Sequence, residues 1–300
     1  MRRSLALAVG LLLVLAGCNA FPGGETDTTS EVTTRADGTT VSEATTGEPT
    51  ETAGGSALPP GLSANSVTDA AALAAAHEQV LANQTYTYDR KVRVVADNGS
   101  ELGRWGQHTQ VGAERLRFNH TQTGTGVSVA GITIEDSRVY TNGSVTFWNA
   151  SAYRDGYRRV AGRGFAETTF SSEQLLADVL NGSATSVTSV APPEETGGVE
   201  SDGGQWYRVR AEGENRTFTY RPRNGSVEVN ATNVTATALV APSGFVRNVT
   251  YEYDFERGSV SGHRTMTVRY SAVGETTVEV PAWVDEAEAV HANRTQENGT

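Results

Sequence analysis

Val249, Tyr251, Tyr253 and Phe255 alternate with Thr250, Glu252, Asp254 and Glu256. Successive side chains of a strand point to opposite faces, so this run has one aromatic face and one acidic face. That pattern is a half-buried antiparallel strand with its acidic side in solvent. Met266, Val268 and Tyr270 repeat it against Thr265, Thr267 and Arg269.

The same period of two predicts a strand through Tyr86, Tyr88, Val92 and Val94, broken at Asp97-Asn98-Gly99. It predicts others at Arg104 to Gln110, Val111 to Phe118, Val127 to Glu135, Ser137 to Tyr140 and Val145 to Trp148. Thr141-Asn142-Gly143-Ser144 between the last two is a hairpin signature. Strands resume at Trp206–Ala211, Arg216–Tyr220, Val227–Val229, Val234–Val240, Val246–Glu256, His263–Tyr270 and Thr276–Val280. Two segments have helical spacing instead. Val67, Ala70, Leu73, Ala74, His77, Val80 and Leu81 form one stripe, capped by Ser66 or Thr68. Ser172 to Leu180 forms the second, capped by Ser171 or Ser172 and closed by Asn181-Gly182. The expected fold class is α+β and β-dominated: a curved antiparallel sheet with two or three helices on its concave side.

The ends of the chain differ in kind. Arg2 and Arg3 precede about twelve apolar residues, too few to cross a roughly 30 Å hydrocarbon core as a helix. Leu15-Ala16-Gly17-Cys18 then closes a secretory leader over residues 1–17. This ending resembles the lipobox of secreted lipoproteins, which implies a lipid on Cys18 and anchorage to the outer face of the cell membrane. Arg2-Arg3-Ser4-Leu5 also resembles the twin-arginine export signal, and the general secretory route stays open. Residues 18–61 are rich in Thr, Ser, Glu and Gly and hold too little apolar surface to offset chain entropy, so they read as a disordered stalk. Residues 62–285 are the expected folded domain, and 286–300 a polar tail.

Cys18 is the only cysteine, so one chain offers neither an internal disulfide nor a cysteine metal site. Loss of Arg2 and Arg3 with the leader lowers the basic residues from 24 to 22 against 35 acidic, taking the net charge from −11 to −13. Lys91 is the only lysine. An acidic, lysine-poor, threonine-rich surface suits a salty environment, where salt screens carboxylate repulsion. Excess acid argues against a nucleic-acid partner. Thirteen of fifteen asparagines open an N-x-Ser/Thr sequon: Asn83, Asn98, Asn119, Asn142, Asn149, Asn181, Asn215, Asn224, Asn230, Asn233, Asn248, Asn293 and Asn298. They are glycosylation candidates, although several contain Asn-Gly and also serve as turns.

The sequence carries little that points to catalysis, and no enzyme activity, cofactor or metal is expected. His77, His108, His120, His263 and His291 show no metal-ligand spacing, and no P-loop or G-x-S-x-G elbow is present. Gly124-Thr125-Gly126 lacks a strand-to-helix setting. His77-Glu78 reads as helix surface or core edge, and Glu135-Asp136 as a solvated turn. One basic cluster, Arg154, Arg158 and Arg159 beside Tyr153 and Tyr157, suits either an anionic lipid headgroup or pairing with local carboxylates.

The capped helix leading into Thr85-Tyr86-Thr87-Tyr88, the successive short strands, the mid-chain helix and the closing run from Tyr251 to Val280, then Pro281-Ala282-Trp283-Val284-Asp285-Glu286-Ala287, together resemble the LolA and LppX/LprG-like lipoprotein superfamily. The chain is also similar to membrane-anchored lipoproteins of haloarchaea. The first resemblance implies an open half-barrel with helices over an apolar cavity that takes a lipid or isoprenoid ligand. Alternation alone nominates Tyr86, Tyr88, Leu116, Phe118, Ile132, Ile134, Tyr251, Tyr253, Phe255, Met266 and Val268 as its lining, with a closed core as the other reading. Two functions follow: an anchored lipid-binding module, or a surface glycoprotein for structure or interaction without a cavity ligand.

Overall fold

The computed structural model describes residues 58–161, 173–182, 184–194, 199, 204–221 and 225–297. The leader, Cys18, the stalk as far as residue 57, Asn224, Asn298, the caps Ser171 and Ser172 and the Arg154 side chain lie outside the described residues.

The sheet begins with β1 (Tyr86–Ala96), β2 (Glu101–Val111), β3 (Phe118–Gly126), β4 (Ser137–Thr141), β5 (Val145–Ala150) and β6 (Tyr157–Ala161). It continues with β7 (Ala184–Val190), β8 (Trp206–Glu212), β9 (Arg216–Tyr220), β10 (Val227–Val240), β11 (Val246–Arg257) and β12 (Val260–Ser271). The strand order is β6-β5-β4-β3-β2-β1-β12-β11-β10-β8-β7, with β9 pairing along the first part of β10. Every pairing is antiparallel. Two meanders therefore meet at β1 and β12. The end strands β6 and β7 do not pair with each other, so the sheet is an open half-barrel. A bulge between Thr232 and Thr235, with Asn233 at φ 52°, lets β10 switch partner from β9 to β8.

Val249, Tyr251, Tyr253 and Phe255 are buried, as are Met266, Val268 and Tyr270 on the neighbouring strand. Cross-strand partners share a face. Tyr251 opposes Met266, Met266 opposes Val92 and Val92 opposes Trp105, which continues one core face across the half-barrel. Helix α1 (Ala70–Leu81) and helix α2 (Glu173–Leu180) pack on each other and join this core through Leu73, Leu81, Leu176 and Leu180.

Several local expectations need correction. Asp69, not Ser66 or Thr68, caps α1, its Oδ1 accepting from the Ala72 N–H at 2.9 Å. Ser66 and Thr68 are used in the preceding turn, where Ser66 N–H donates to Ser63 Oγ and Thr68 Oγ1 donates to the Gly61 carbonyl. Residues 112–117 leave the sheet: Glu114 and Arg115 both have φ near +57°, and Arg115 turns back to Glu78 on α1. The expected strand Val127 to Glu135 is a strap between β3 and β4, held by one isolated bridge, Val127 to Thr133. The segment 276–280 is also outside the sheet, where the Thr276 N–H bonds the Ala272 carbonyl. β6 and β7 lie outside the segments whose alternation predicts strands.

The segment expected as a polar tail is largely helical, forming α3 (Trp283–Glu297). Its few apolar groups are well placed. Val284 and Ala287 are buried with Tyr140, Phe147 and Val278, and Trp283 stacks on Tyr157. Arg294 donates to Asp155 Oδ2 at 2.8 Å. By the strand register, Tyr140 and Phe147 lie on the face opposite Phe118 and Val139. So α3 covers the outer face of β4–β6 while α1 and α2 cover the core face.

Candidate functional site

A hollow of about 100 Å³, partly open to solvent and more apolar than polar, interrupts the core face. Its floor comes from the sheet: Arg90, Trp105, Gln122, Tyr251, Tyr253, Arg264 and Met266, with Phe218 and Tyr220 from β9. Leu175 of α2 forms a wall. The strap forms the roof and mouth through Val129, Ile132, Thr133, Ile134 and Glu135.

The strap is built to stand off the sheet. The Ser128 N–H bonds the Ile132 carbonyl, the Gly131 N–H bonds the Ser128 carbonyl and the Ile134 N–H returns to the Gly126 carbonyl. Gln122 Nε2 donates to the Glu135 carbonyl, and Asp136 Oδ1 accepts from the Gly124 N–H at 2.9 Å. From the far side Arg257 Nη1 donates to the Val129 carbonyl at 3.1 Å. Gly131 has φ +74°, and a Cβ there would lie 2.3 Å from Arg257 Nη1, so this tip needs glycine. At Ile134, Gly124 lets the strap lie close on the sheet, because a Cβ on this glycine would lie 2.8 Å from Ile134 Cγ2.

The chemistry at the floor is unusual for a core. Arg264 is 9% exposed; its guanidinium lies 5.3 Å from the Tyr253 ring centroid and its Nη2 is 3.7 Å from Met266 Sδ. Burial pushes the Tyr251 hydroxyl up to about 12, against the pull of Arg216 and Arg264. Burial pushes Tyr220 up as well. Both phenols stay protonated at neutral pH and present donors beside a permanent cation. The Tyr251 hydroxyl is buried and meets no hydrogen-bond partner among the described residues.

Of the residues nominated by alternation, the structure brings Ile132, Ile134, Tyr251, Tyr253 and Met266 together around this hollow. The others lie elsewhere. Tyr86 and Tyr88 pack against Tyr270 below α1. Phe118 packs with Val139 and Trp148, Leu116 sits in a turn near Gly143, and Phe255 and Val268 fill the closed core. Alternation missed Arg90 and Arg264, because both are cations standing in an apolar phase. Arg264 precedes Met266, Val268 and Tyr270 by two-residue steps, and Arg90 precedes Val92 and Val94. A charge in phase with buried positions was the available signal.

Two members of the basic cluster are described. Arg158 and Arg159 are neighbours in β6 and point to opposite faces. Arg158 lies 6.0 Å from the Tyr153 ring and Arg159 6.0 Å from the Phe147 ring. His77 is fully buried; its Nδ1 accepts from the Val246 N–H at 3.0 Å, and burial lowers its pKa to about 4. Burial likewise lowers His120 to about 4, with its Nδ1 2.8 Å from Thr109 Oγ1. Among the described residues no three metal-ligating side chains cluster, and no helix is long and apolar enough to cross a membrane.

No protein-family model matches this chain, and no curated protein matches it. Solved structures with a similar trace include a LolA superfamily protein from Nitrosomonas europaea, 10% identical with a TM-score of 0.25, over 70% of this chain and 95% of that one. A DUF1329 family protein from Desulfovibrio piger is 12% identical with a TM-score of 0.24, over 73% and 97%. A beta-barrel-like protein of domain of unknown function DUF1849 from Brucella abortus is 9% identical with a TM-score of 0.22, over 63% and 98%.

Proposed function

We propose that this is a non-enzymatic ligand-binding domain, tethered by a lipid on Cys18 to the outer face of a membrane, that holds the apolar part of a lipid or isoprenoid in the hollow beneath the strap. The observation that carries this reading is the hollow itself, a partly open and mostly apolar space on the core face. Concave, largely apolar sites with a few convergent polar groups are where small ligands bind. Its volume sets the scale. An engineered apolar cavity of about 150 Å³ accepts benzene, so about 100 Å³ holds only a short segment of a ligand. The remainder of the chain would leave through the mouth.

That small volume also favours a second reading, a glycosylated surface protein with no cavity ligand. Typical ligand pockets run from about 300 to 1,000 Å³. Under either reading, sugars belong at the hairpin tips Asn98 and Asn142. Their Oδ1 atoms accept from the turn, which leaves the amide nitrogen to carry a glycan. Asn233 Nδ2 instead donates to Asp254 Oδ2 at 2.7 Å and is expected to stay bare.

The two readings separate by extraction. Full-length protein with Cys18→Ser, purified from a salt-tolerant host, is extracted with organic solvent and the extract analysed by mass spectrometry. A stoichiometric lipid or isoprenoid supports the binding domain. An empty extract from demonstrably folded protein shifts the assignment to the surface glycoprotein. The same substitution should release the protein into the medium or leave it unprocessed; a variant still membrane-bound at mature mass ends the anchoring proposal.

A further inference from the structure

The floor of the hollow is more specific than an acyl tunnel requires. Burying a guanidinium is costly unless an opposite charge meets it. Arg264 is nine-tenths buried, and among the described residues it meets the Tyr253 ring and the Met266 sulfur, neither of which carries the compensating charge. Tyr251, whose ring lies 5.5 Å from that of Tyr253, adds a buried hydroxyl that lacks an acceptor among the described residues. Such orphan donors occur elsewhere, at Tyr86 Oη and Trp206 Nε1, but neither residue lines the hollow. Here a buried cation that meets no carboxylate among the described residues, an orphan hydroxyl and a partly open space coincide. Ile132 and Ile134 of the strap are half-buried and so line the outer part of the hollow, while Tyr251 and Arg264 are buried.

We infer that the ligand enters head first: an oxyanion, carboxylate or phosphate, docks on Arg264 and Tyr251 at the floor while its hydrocarbon chain passes under Ile132 and Ile134 toward the mouth. A planar guanidinium grips two oxygens of either group, and the phenol supplies a third donor. The hollow's size fits this orientation, with room for a head and a short stretch of chain. A buried pair is screened little by salt, so the contact survives in brine. This inference rests on the hollow being the ligand site proposed above, and the test separates the two.

Octanoate, octyl phosphate and octanol are titrated by calorimetry into full-length Cys18→Ser protein in molar salt. Octanoate or octyl phosphate should bind at least tenfold more tightly than octanol, and the preferred one of the two names the head. Arg264→Met should remove that preference, bringing octanoate and octyl phosphate to the affinity of octanol. Tyr251→Phe, which deletes only the hydroxyl, should weaken the anion about threefold to tenfold without affecting the fold. Equal binding of acid, phosphate and alcohol by the unsubstituted floor overturns the head-first inference and leaves the apolar site standing. Binding of none of the three overturns the site itself, and the inference with it.

Discussion

The core face has two regions that share one alternation and differ in how they treat charge. Below α1 the sheet is closed. His77 stacks on Phe245 at 5.5 Å, meets the edge of Tyr270 at 4.6 Å and stays neutral, and the nearby cation Arg115 is paired with Glu78. Below the strap the sheet is open, and Arg264 has an aromatic ring and a thioether where Arg115 has a carboxylate. Volume follows chemistry. The first region buries neutral or compensated groups and packs shut; the second keeps a cation, and the strap arches over it. Gly124 and Gly131 let the strap approach the sheet and Arg257 closely, where a Cβ would collide with Ile134 or with the Arg257 guanidinium.

The largest expected contrast is in stability. Phe245 is fully buried in the closed region, so Phe245→Ala should cost about 3–5 kcal/mol in denaturant unfolding. Arg264→Met should cost almost nothing, because it removes a buried charge and adds apolar volume. Equal losses would make Arg264 a structural brace and erase the distinction between the regions.

Acid should open the closed region next. His77 and His120 are held at about 4, below the ordinary 6.5, because burial disfavours the cation. Below 6.5 the unfolded chain binds protons that the fold refuses, so stability is complete above pH 6.5 and falls with pH until about 4. A shift of that size is worth about 3 kcal/mol per histidine. Unfolding free energy measured from pH 7 to 4 should fall along this window, and His77→Gln should flatten the slope. An unchanged slope would mean that His77 is not the titrating group.

Glu78→Gln strips the partner from Arg115 in a mostly buried pair, for which about 2 kcal/mol lies between the exposed and fully buried cases. A double-mutant cycle with Arg115→Met should recover most of that loss; failure to recover it would place the cost outside the pair. The smallest effect is expected at the strap. Gly131→Ala strains a left-handed residue against Arg257, costing about 1 kcal/mol, and should speed amide exchange at Ile132 and Ile134 while α1 stays protected. Equal loosening of both regions would deny the strap its separate character.

Much of the sheet was readable because burial is periodic. The phase of Tyr251 to Phe255 and of Met266 to Tyr270 locates the core face directly, and Asn142-Gly143 marks a true hairpin turn. Elements decided by tertiary partners were not readable. α3 has almost no apolar stripe, and it holds through Trp283, Val284, Ala287 and Arg294 docking on distant residues. Residues 127–135 have strand-like alternation, yet Gly126 and Gly131 at positive φ fold them back on themselves. The candidate site was half visible for the same reason: alternation reports apolar phase, so it finds Met266 and Tyr253 and passes over Arg264 between them in space.

Met1 and Met266 are the only methionines in the chain, and Met266 lies on the floor of the hollow. A protein labelled with ¹³C at the methionine methyl groups therefore places one reporter inside the site, assigned by comparison with Met266→Leu. Titration with octanoate should move the Met266 methyl resonance in a saturable way. A Met266 resonance that holds its position through millimolar octanoate, in protein shown to be folded, would contradict the account that this hollow receives a ligand.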